Sequence, residues 1–384
     1  MDFDYSEEQR LLDDTVKRLV KDEYGFAERK KYMEEPGGFS LAQWTKYAEL
    51  GLLGLPFAEE YGGFGGGGIE TMIVMEGFGR GLVLEPYLPT VILAGGLVDL
   101  AGSAEQKQAI LPAVAEGKLM LAFAQGERHS RYALDHVETG AKADGGGFVL
   151  DGHKNVVLHG GSADILIVSA RTSGNAHDAN GISLFLVDRD AKGLTVRDYP
   201  TVDGLRAADI TLENVKVGPE GVLGPRGAAL PIIERAIDRA IAAVCAEAVG
   251  LMETLNALTL DYLKTRKQFG VVIGSFQVLQ HRMVDMTIAA EQAKSMAVLA
   301  ALSIDQADAA ARSRSISAAK VQIGQSGRLI GQQAIQLHGG IGMTDEYAAG
   351  HYFKRLTTIE HSFGDTDYHL DRFPAFASET NSNS

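Results

Sequence analysis

Two stretches of this sequence carry residues suited to holding a phosphorylated aromatic ligand. The first is Arg266-Lys267-Gln268-Phe269-Gly270, followed by Phe276-Gln277. A fixed guanidinium binds a pyrophosphate in fork geometry, and a neighbouring aromatic suits an adenine. A charged helix end with a loop phenylalanine accounts for the same letters. The second stretch is Gln336-Leu337-His338-Gly339-Gly340-Ile341-Gly342-Met343. Adjacent glycines at a helix end let a backbone approach a ligand closely. A plain C-cap and turn would look alike.

Other chemistry-bearing letters point to structure. The run Gly62-Gly63-Phe64-Gly65-Gly66-Gly67-Gly68 lacks the preceding strand and following Lys-Ser/Thr of a phosphate cradle. It reads as a flexible turn between helices. His338, His351, His361 and His369 show no metal-ligand spacing, so no metal is expected. Cys245, in an apolar helical stretch, reads as inert packing.

The elements that must position these residues follow an α, β, α plan. Ser6-Glu7-Glu8-Gln9 opens a helix, with Ser6 as cap and acids at the positive end of the dipole. Helical spacing continues to about residue 118, one helix running toward Leu55 and halting at Pro56. Short β-rich runs then take over, among them 148–150, 165–168, 182–187 and 194–196, separated by Gly, Asp and Asn clusters. No helical period interrupts them, so the expectation is an antiparallel β domain. From about 227, Ile233, Ile237, Ile241, Val244, Leu251, Leu255 and Tyr262 keep one helix face apolar. Long helices near 276–303 and 306–336 follow, then shorter ones. The expected domains are helical 1–118, β 119–226 and a helical bundle 227–376, with a polar tail at 377–384.

Composition narrows the class. With 36 Lys plus Arg against 50 Asp plus Glu, the net charge of −14 disfavours nucleic acid or an anionic membrane as partner. A single cysteine excludes a disulfide framework. The acidic start has no apolar signal region, and no stretch reads as membrane-spanning, so a cytoplasmic globular protein is expected. Glycine is in excess, 45 residues where an average chain of this length has about 27. The excess is not periodic, which excludes a collagen-like repeat.

Taken in order, the motifs resemble the acyl-CoA dehydrogenase family across essentially the whole chain. They are Ser6-Glu7-Glu8-Gln9-Arg10, Glu49-Leu50-Gly51-Leu52-Leu53-Gly54-Leu55-Pro56, Glu59-Glu60-Tyr61-Gly62-Gly63 and Gly102-Ser103-Ala104-Glu105-Gln106-Lys107, then the two stretches above. More narrowly, the chain is similar to the small-subunit type of bacterial pimeloyl-CoA dehydrogenase. The resemblance implies an α+β multi-domain fold with an N-terminal helical domain, a middle β domain and a C-terminal helical bundle. It implies FAD, an acyl-CoA substrate, electron-transferring flavoprotein as electron acceptor, and a dimer or dimer of dimers. Family chemistry is α,β-dehydrogenation: a carboxylate removes the α-proton while the flavin takes the β-hydride.

Carried over by position, the resemblance implies FAD contacts at Arg266, Phe269, Gln277, Gln336, Gly339, Gly340 and Thr366. It also exposes departures. Gly364 stands at the usual place of the base, and Ala240 at the alternative place on the long helix. Asp365, Glu247 and Asp238 are the nearby acids that would have to substitute. The strand that usually reads Trp-Ile-Thr beside the flavin ring reads Val156-Val157-Leu158, and a neighbouring family segment is reduced to Gln125-Gly126-Glu127-Arg128-His129-Ser130. The retained parts face a neighbour's FAD, and the lost parts seat a subunit's own ring and base. The leading expectation is a subunit that completes the FAD site of an unlike, larger dehydrogenase chain. A self-sufficient homomer with a relocated base, a flavin monooxygenase and a non-catalytic acyl-CoA-binding scaffold are the alternatives.

Overall fold

The computed structural model describes residues 5–372. The tail at 377–384 lies outside the described residues. Helices come first: α1 (Glu7–Glu23), α2 (Phe26–Met33), α3 (Leu41–Glu49), α4 (Gly68–Gly81), a π-helical segment (Leu88–Gly95), α5 (Gly96–Ala101) and α6 (Ala104–Ala115). Ser6 accepts from the Gln9 N–H while the Gln9 side chain accepts from Ser6, a reciprocal cap that starts α1. Ser103 and Gln106 repeat it at α6. The helix expected to run to Pro56 stops at Glu49, because Gly51 takes φ +73° and turns the chain.

Strands follow: β1 (Leu121–Ala124), β2 (Gly140–Asp144), β3 (Gly147–Leu158), β4 (Ile165–Arg171), β5 (Ile182–Asp188), β6 (Leu194–Pro200), β7 (Arg206–Val217) and β8 (Val222–Leu223). They form one sheet in the order β6-β7-β3-β2-β4-β5-β8, with β1 on β4. Most pairs are antiparallel as expected, but β1 runs parallel to β4, and β2 touches β4 in parallel at one pair. Leu150, Leu166, Val168, Phe185, Ile210 and Val215 fill its core. Four strands of the sheet, β1, β2, β7 and β8, are not among the expected runs. β2 reads Gly-Ala-Lys-Ala-Asp and is mostly exposed, so it has no apolar alternation to detect.

The last part is α7 (Leu230–Thr265), a two-residue hairpin β9 (Lys267–Gln268) with β10 (Val271–Val272), α8 (Gln277–Ser303), α9 (Ala309–His338) and α10 (Ala348–His361). By length and composition alone, α7 is long and apolar enough to cross a membrane, where the sequence pointed to no such stretch. Yet 72% of its most apolar window is buried in the protein, as in a core helix.

The chain divides into two compact units. One holds residues up to Lys31, Gly67–Val83 and Ile241 onward. Within it, glycines let α4 and α7 cross closely: a Cβ on Gly250 would lie 1.9 Å from the Glu76 carbonyl oxygen, and one on Gly79 2.0 Å from that of Glu247. The other unit holds Tyr32–Gly66 and Leu84–Ala240, including the sheet. There the glycine run is tied down rather than loose. Gly65 N–H donates to Phe57 O at 2.7 Å and Gly66 N–H to Leu55 O at 2.8 Å.

Candidate functional site

One end of the helical unit gathers most of the residues singled out above. At the end of α7, Arg266 N–H donates to Tyr262 O and Arg266 O accepts from Ile273 N–H, so the chain folds back as the β9–β10 hairpin. Its tip is Phe269-Gly270, both at positive φ (54° and 80°). That conformation turns the Phe269 ring outward, 91% exposed, with Phe276 edge-on at 6.4 Å. Gln277 opens α8 and is exposed.

The end of α9 lies beside this hairpin's base. The His338 ring sits 4.7 Å from that of Tyr262, and Arg282 of α8 donates to Gln333 of α9 at 3.0 Å. Gln336, Gly339 and Gly340 are exposed there. A Cβ at Gly339 or Gly340 would meet nothing within 4 Å, so the backbone is open to a ligand. The Arg266 guanidinium makes no hydrogen bond or ion pair among the described residues. An uncommitted cation, outward aromatics and bare backbone fit an anionic diphosphate carrying a flat base.

Thr366 lies apart from this group. Its hydroxyl donates to Glu360 Oε1 at 2.7 Å, beside Gly324 of α9. Gly324 is 14 residues from His338, about 20 Å along the helix.

The space at Gly364, where the resemblance places the base, is filled. Gly364 has φ +112°, and a Cβ there would stand 2.4 Å from Tyr368 Cδ1 and 2.6 Å from His369 Nε2. The fully buried Lys320 ammonium donates to the carbonyls of Gly364 (2.7 Å) and Glu360 (2.9 Å), fixing the turn. Burial pulls that ammonium below the ordinary lysine range. Gly364→Glu is therefore expected to lower stability by about 2 to 5 kcal/mol through left-handed strain and overpacking. It should create no dehydrogenase activity in the chain alone. Denaturant titration and a flavin-supplemented assay check both.

The substitute acids are engaged. Glu247 is buried and receives both ends of the Arg355 fork, at 2.6 and 2.7 Å. Asp365 Oδ1 accepts from Tyr368 N–H at 2.9 Å and caps the helical segment 366–372. Asp238 is buried and has its own interactions, and Ala240 is fully buried on α7. Sequence reading missed Lys320 and Glu360, and it considered His369 only as a metal ligand. The available signal was a lone lysine on the apolar face of α9, one turn after Ile316 and before Ile323.

In the β unit, a register shift between Lys154 and Val157 breaks the β3–β7 ladder. Val156 sits in it at φ +54° and 60% exposed, an unusual conformation for a β-branched residue. Below it, buried Lys154 donates to Glu127 (2.6 Å), Ser169 (3.0 Å) and Gln125 O (3.2 Å). Burial brings the Lys154 ammonium down to about 8, against the opposing pull of Glu127. Among the described residues no cluster of His, Cys, Asp or Glu could hold a metal ion.

Three family models for acyl-CoA dehydrogenases match in sequence: the N-terminal domain at residues 6–118, the middle domain at 122–215 and the C-terminal domain at 230–374. A probable acyl-CoA dehydrogenase of Bacillus subtilis (strain 168), YngJ, is 31% identical over 365 residues, 94% of this chain and 95% of that one. The chain belongs to the acyl-CoA dehydrogenase family. Its fold is the family's: a helical N-terminal part, a central β part and a helical C-terminal part. Among solved structures, this family member resembles the Tcur3481-Tcur3483 steroid ACAD at 28% identity and TM-score 0.87, covering 98% of this chain and 99% of that one. It also resembles the FAD complex of PigA at 25% identity and TM-score 0.90, with the same coverage.

Proposed function

We propose that this chain is a subunit of an FAD-dependent acyl-CoA dehydrogenase and completes the FAD site of an unlike, larger partner that supplies the base. One contrast carries the reading. The diphosphate-binding end is open and uncommitted, whereas the base position is occupied by Tyr368, His369 and a glycine held at positive φ.

In this reading Arg266 grips the diphosphate, Phe269 and Phe276 shield the adenine, and Gln277 and Gln336 offer amide hydrogen bonds around it. Gly339 and Gly340 allow close backbone approach. Thr366 keeps its place from the family pattern only as an acceptor, because its proton is given to Glu360. The cofactor, when bound, supplies hydride acceptance from the β-carbon of the thioester. This chain contributes binding and exclusion of water rather than proton transfer, since no carboxylate is available at Gly364 or Ala240. The resemblance points to an electron-transferring flavoprotein as the electron acceptor.

The acyl group follows from resemblance: a dicarboxylyl-CoA such as pimeloyl-CoA, with a steroid side-chain thioester supported by the likeness to the Tcur3481-Tcur3483 steroid ACAD. Purified alone, the chain is expected to hold little FAD. Co-expressed with its partner, it should yield about one FAD per pair and acyl-CoA turnover. Arg266→Ala should lower FAD retention of the complex about tenfold or more, as expected for losing a charge-assisted pair. Full flavin occupancy and turnover by the lone chain would overturn the proposal.

A further inference from the structure

The residue immediately before the open glycines is bonded more thoroughly than a helix cap requires. His338 is 3% exposed and ends α9. Its Nδ1 lies 2.8 Å from Ala334 O, and its Nε2 lies 3.2 Å from the Tyr347 hydroxyl. Its ring packs between those of Tyr262 (4.7 Å) and Tyr347 (5.0 Å). Burial lowers the imidazole below its ordinary range, against the opposing pull of the Ala334 and Leu258 carbonyls. Nδ1 meets the Ala334 carbonyl, Nε2 meets the Tyr347 hydroxyl, and the Leu258 carbonyl also faces the ring. The ring thus joins α7, α9 and the segment leading into α10.

A plain C-cap needs none of this. Gly339 already caps α9, its N–H donating to the carbonyls of Gln336 and Ile335. The polar bonds of His338 instead fix the direction in which the backbone leaves the helix. A Cβ on Gly339 or Gly340 would meet nothing within 4 Å; both lie in the short 3-10 turn Gly339–Met343, and a glycine pair has more conformational freedom to lose than any other. A rigid anchor at the preceding residue reduces the freedom that ligand binding must remove.

We infer that His338 is a positioning residue for the cofactor's diphosphate: its two ring-nitrogen hydrogen bonds, rather than its bulk, hold Gly339-Gly340 in the binding geometry. The inference rests on the FAD-completing role proposed above. Bulk and hydrogen bonding separate cleanly by substitution. Phenylalanine keeps a ring between the two tyrosines and loses both bonds. Glutamine loses the ring but has one donor for Ala334 O and one acceptor for the Tyr347 hydroxyl.

The experiment uses the co-expressed complex of the full chain with its partner. FAD dissociation constants are measured by flavin fluorescence, and complex assembly by size-exclusion chromatography. His338→Phe should weaken FAD binding about tenfold with assembly intact, His338→Gln should stay within about threefold of wild type, and Tyr347→Phe should fall between. The reverse order, with Phe tolerated and Gln impaired, would show that packing is what matters and would overturn the inference. So would equal affinities for all variants in a flavin-replete complex. A wild-type complex that takes up no FAD would overturn the functional reading itself, and this inference with it.

Discussion

Replacing Glu247 by glutamine is expected to destabilise the chain by about 3 to 5 kcal/mol without a matching loss of chemistry. Glu247 and Arg355 are each 8% exposed at the side chain and meet in fork geometry at 2.6 Å. Neither charge has water to fall back on. Removing the carboxylate takes away the counter-charge that the buried guanidinium meets at 2.6 Å, and the cost of leaving that charge buried dominates the outcome. Removing both charges is a different experiment. A Glu247→Leu, Arg355→Met double variant should recover much of the loss, because an apolar pair of similar volume avoids the penalty. Urea unfolding of the three variants measures this. If Glu247 were instead the relocated base, Glu247→Gln would abolish turnover of the complex and leave stability nearly unchanged.

Acid should weaken the fold through His369 before most carboxylates titrate. The ring is fully buried, with Nδ1 3.1 Å from Ser317 Oγ and Nε2 3.1 Å from Phe363 O. Burial, with Lys320 and Arg372 nearby, pushes it down to about 3. An unfolded histidine titrates near 6.5, so between these values the unfolded chain binds a proton that the folded chain refuses. The contribution is complete above about pH 6.5 and is lost as pH falls toward 3. The full span is roughly 4 to 5 kcal/mol, of which about 2 kcal/mol disappears between pH 6.5 and 5. Denaturant unfolding across that window should show the slope in wild type and a shallower one in His369→Gln. Parallel lines would assign the acid sensitivity to other groups.

Both effects depend on residues whose partners are distant in sequence. Glu247 and Arg355 are 108 positions apart, and His369 and Ser317 are 52 apart. Nothing in the local pattern of either helix announces such a pairing. Periodicity reports only which face of a helix is apolar, so it says nothing of the partner that Glu247 on α7 meets in Arg355. Lys320 was passed over for the same reason, since a lysine is ordinarily a surface residue. The strands show the limit from another side. β5 carries continuous apolar letters and was legible, whereas β2 pairs through backbone with few apolar side chains to mark it. The glycine run reads as a flexible inter-helix turn, whereas backbone bonds that composition does not encode tie it to Leu55 and Phe57.

The sequence by itself determined the α, β, α plan, the family and the absence of a carboxylate at Gly364 and Ala240. Those are properties of letters at positions, and hydrophobic period and motif spacing are short-range signals. Only the tertiary structure decided that the position of Gly364 is filled and not merely vacant. Tyr368 and His369 occupy the space a side chain would need, and buried Lys320 holds the turn's carbonyls. Only the structure, too, separated Thr366 from the open end of the helical unit. It also showed the Arg266 guanidinium left without a partner among the described residues. Steric occupancy and unmet charge arise from groups brought together by packing, and packing is a sum over long-range contacts that no local window contains.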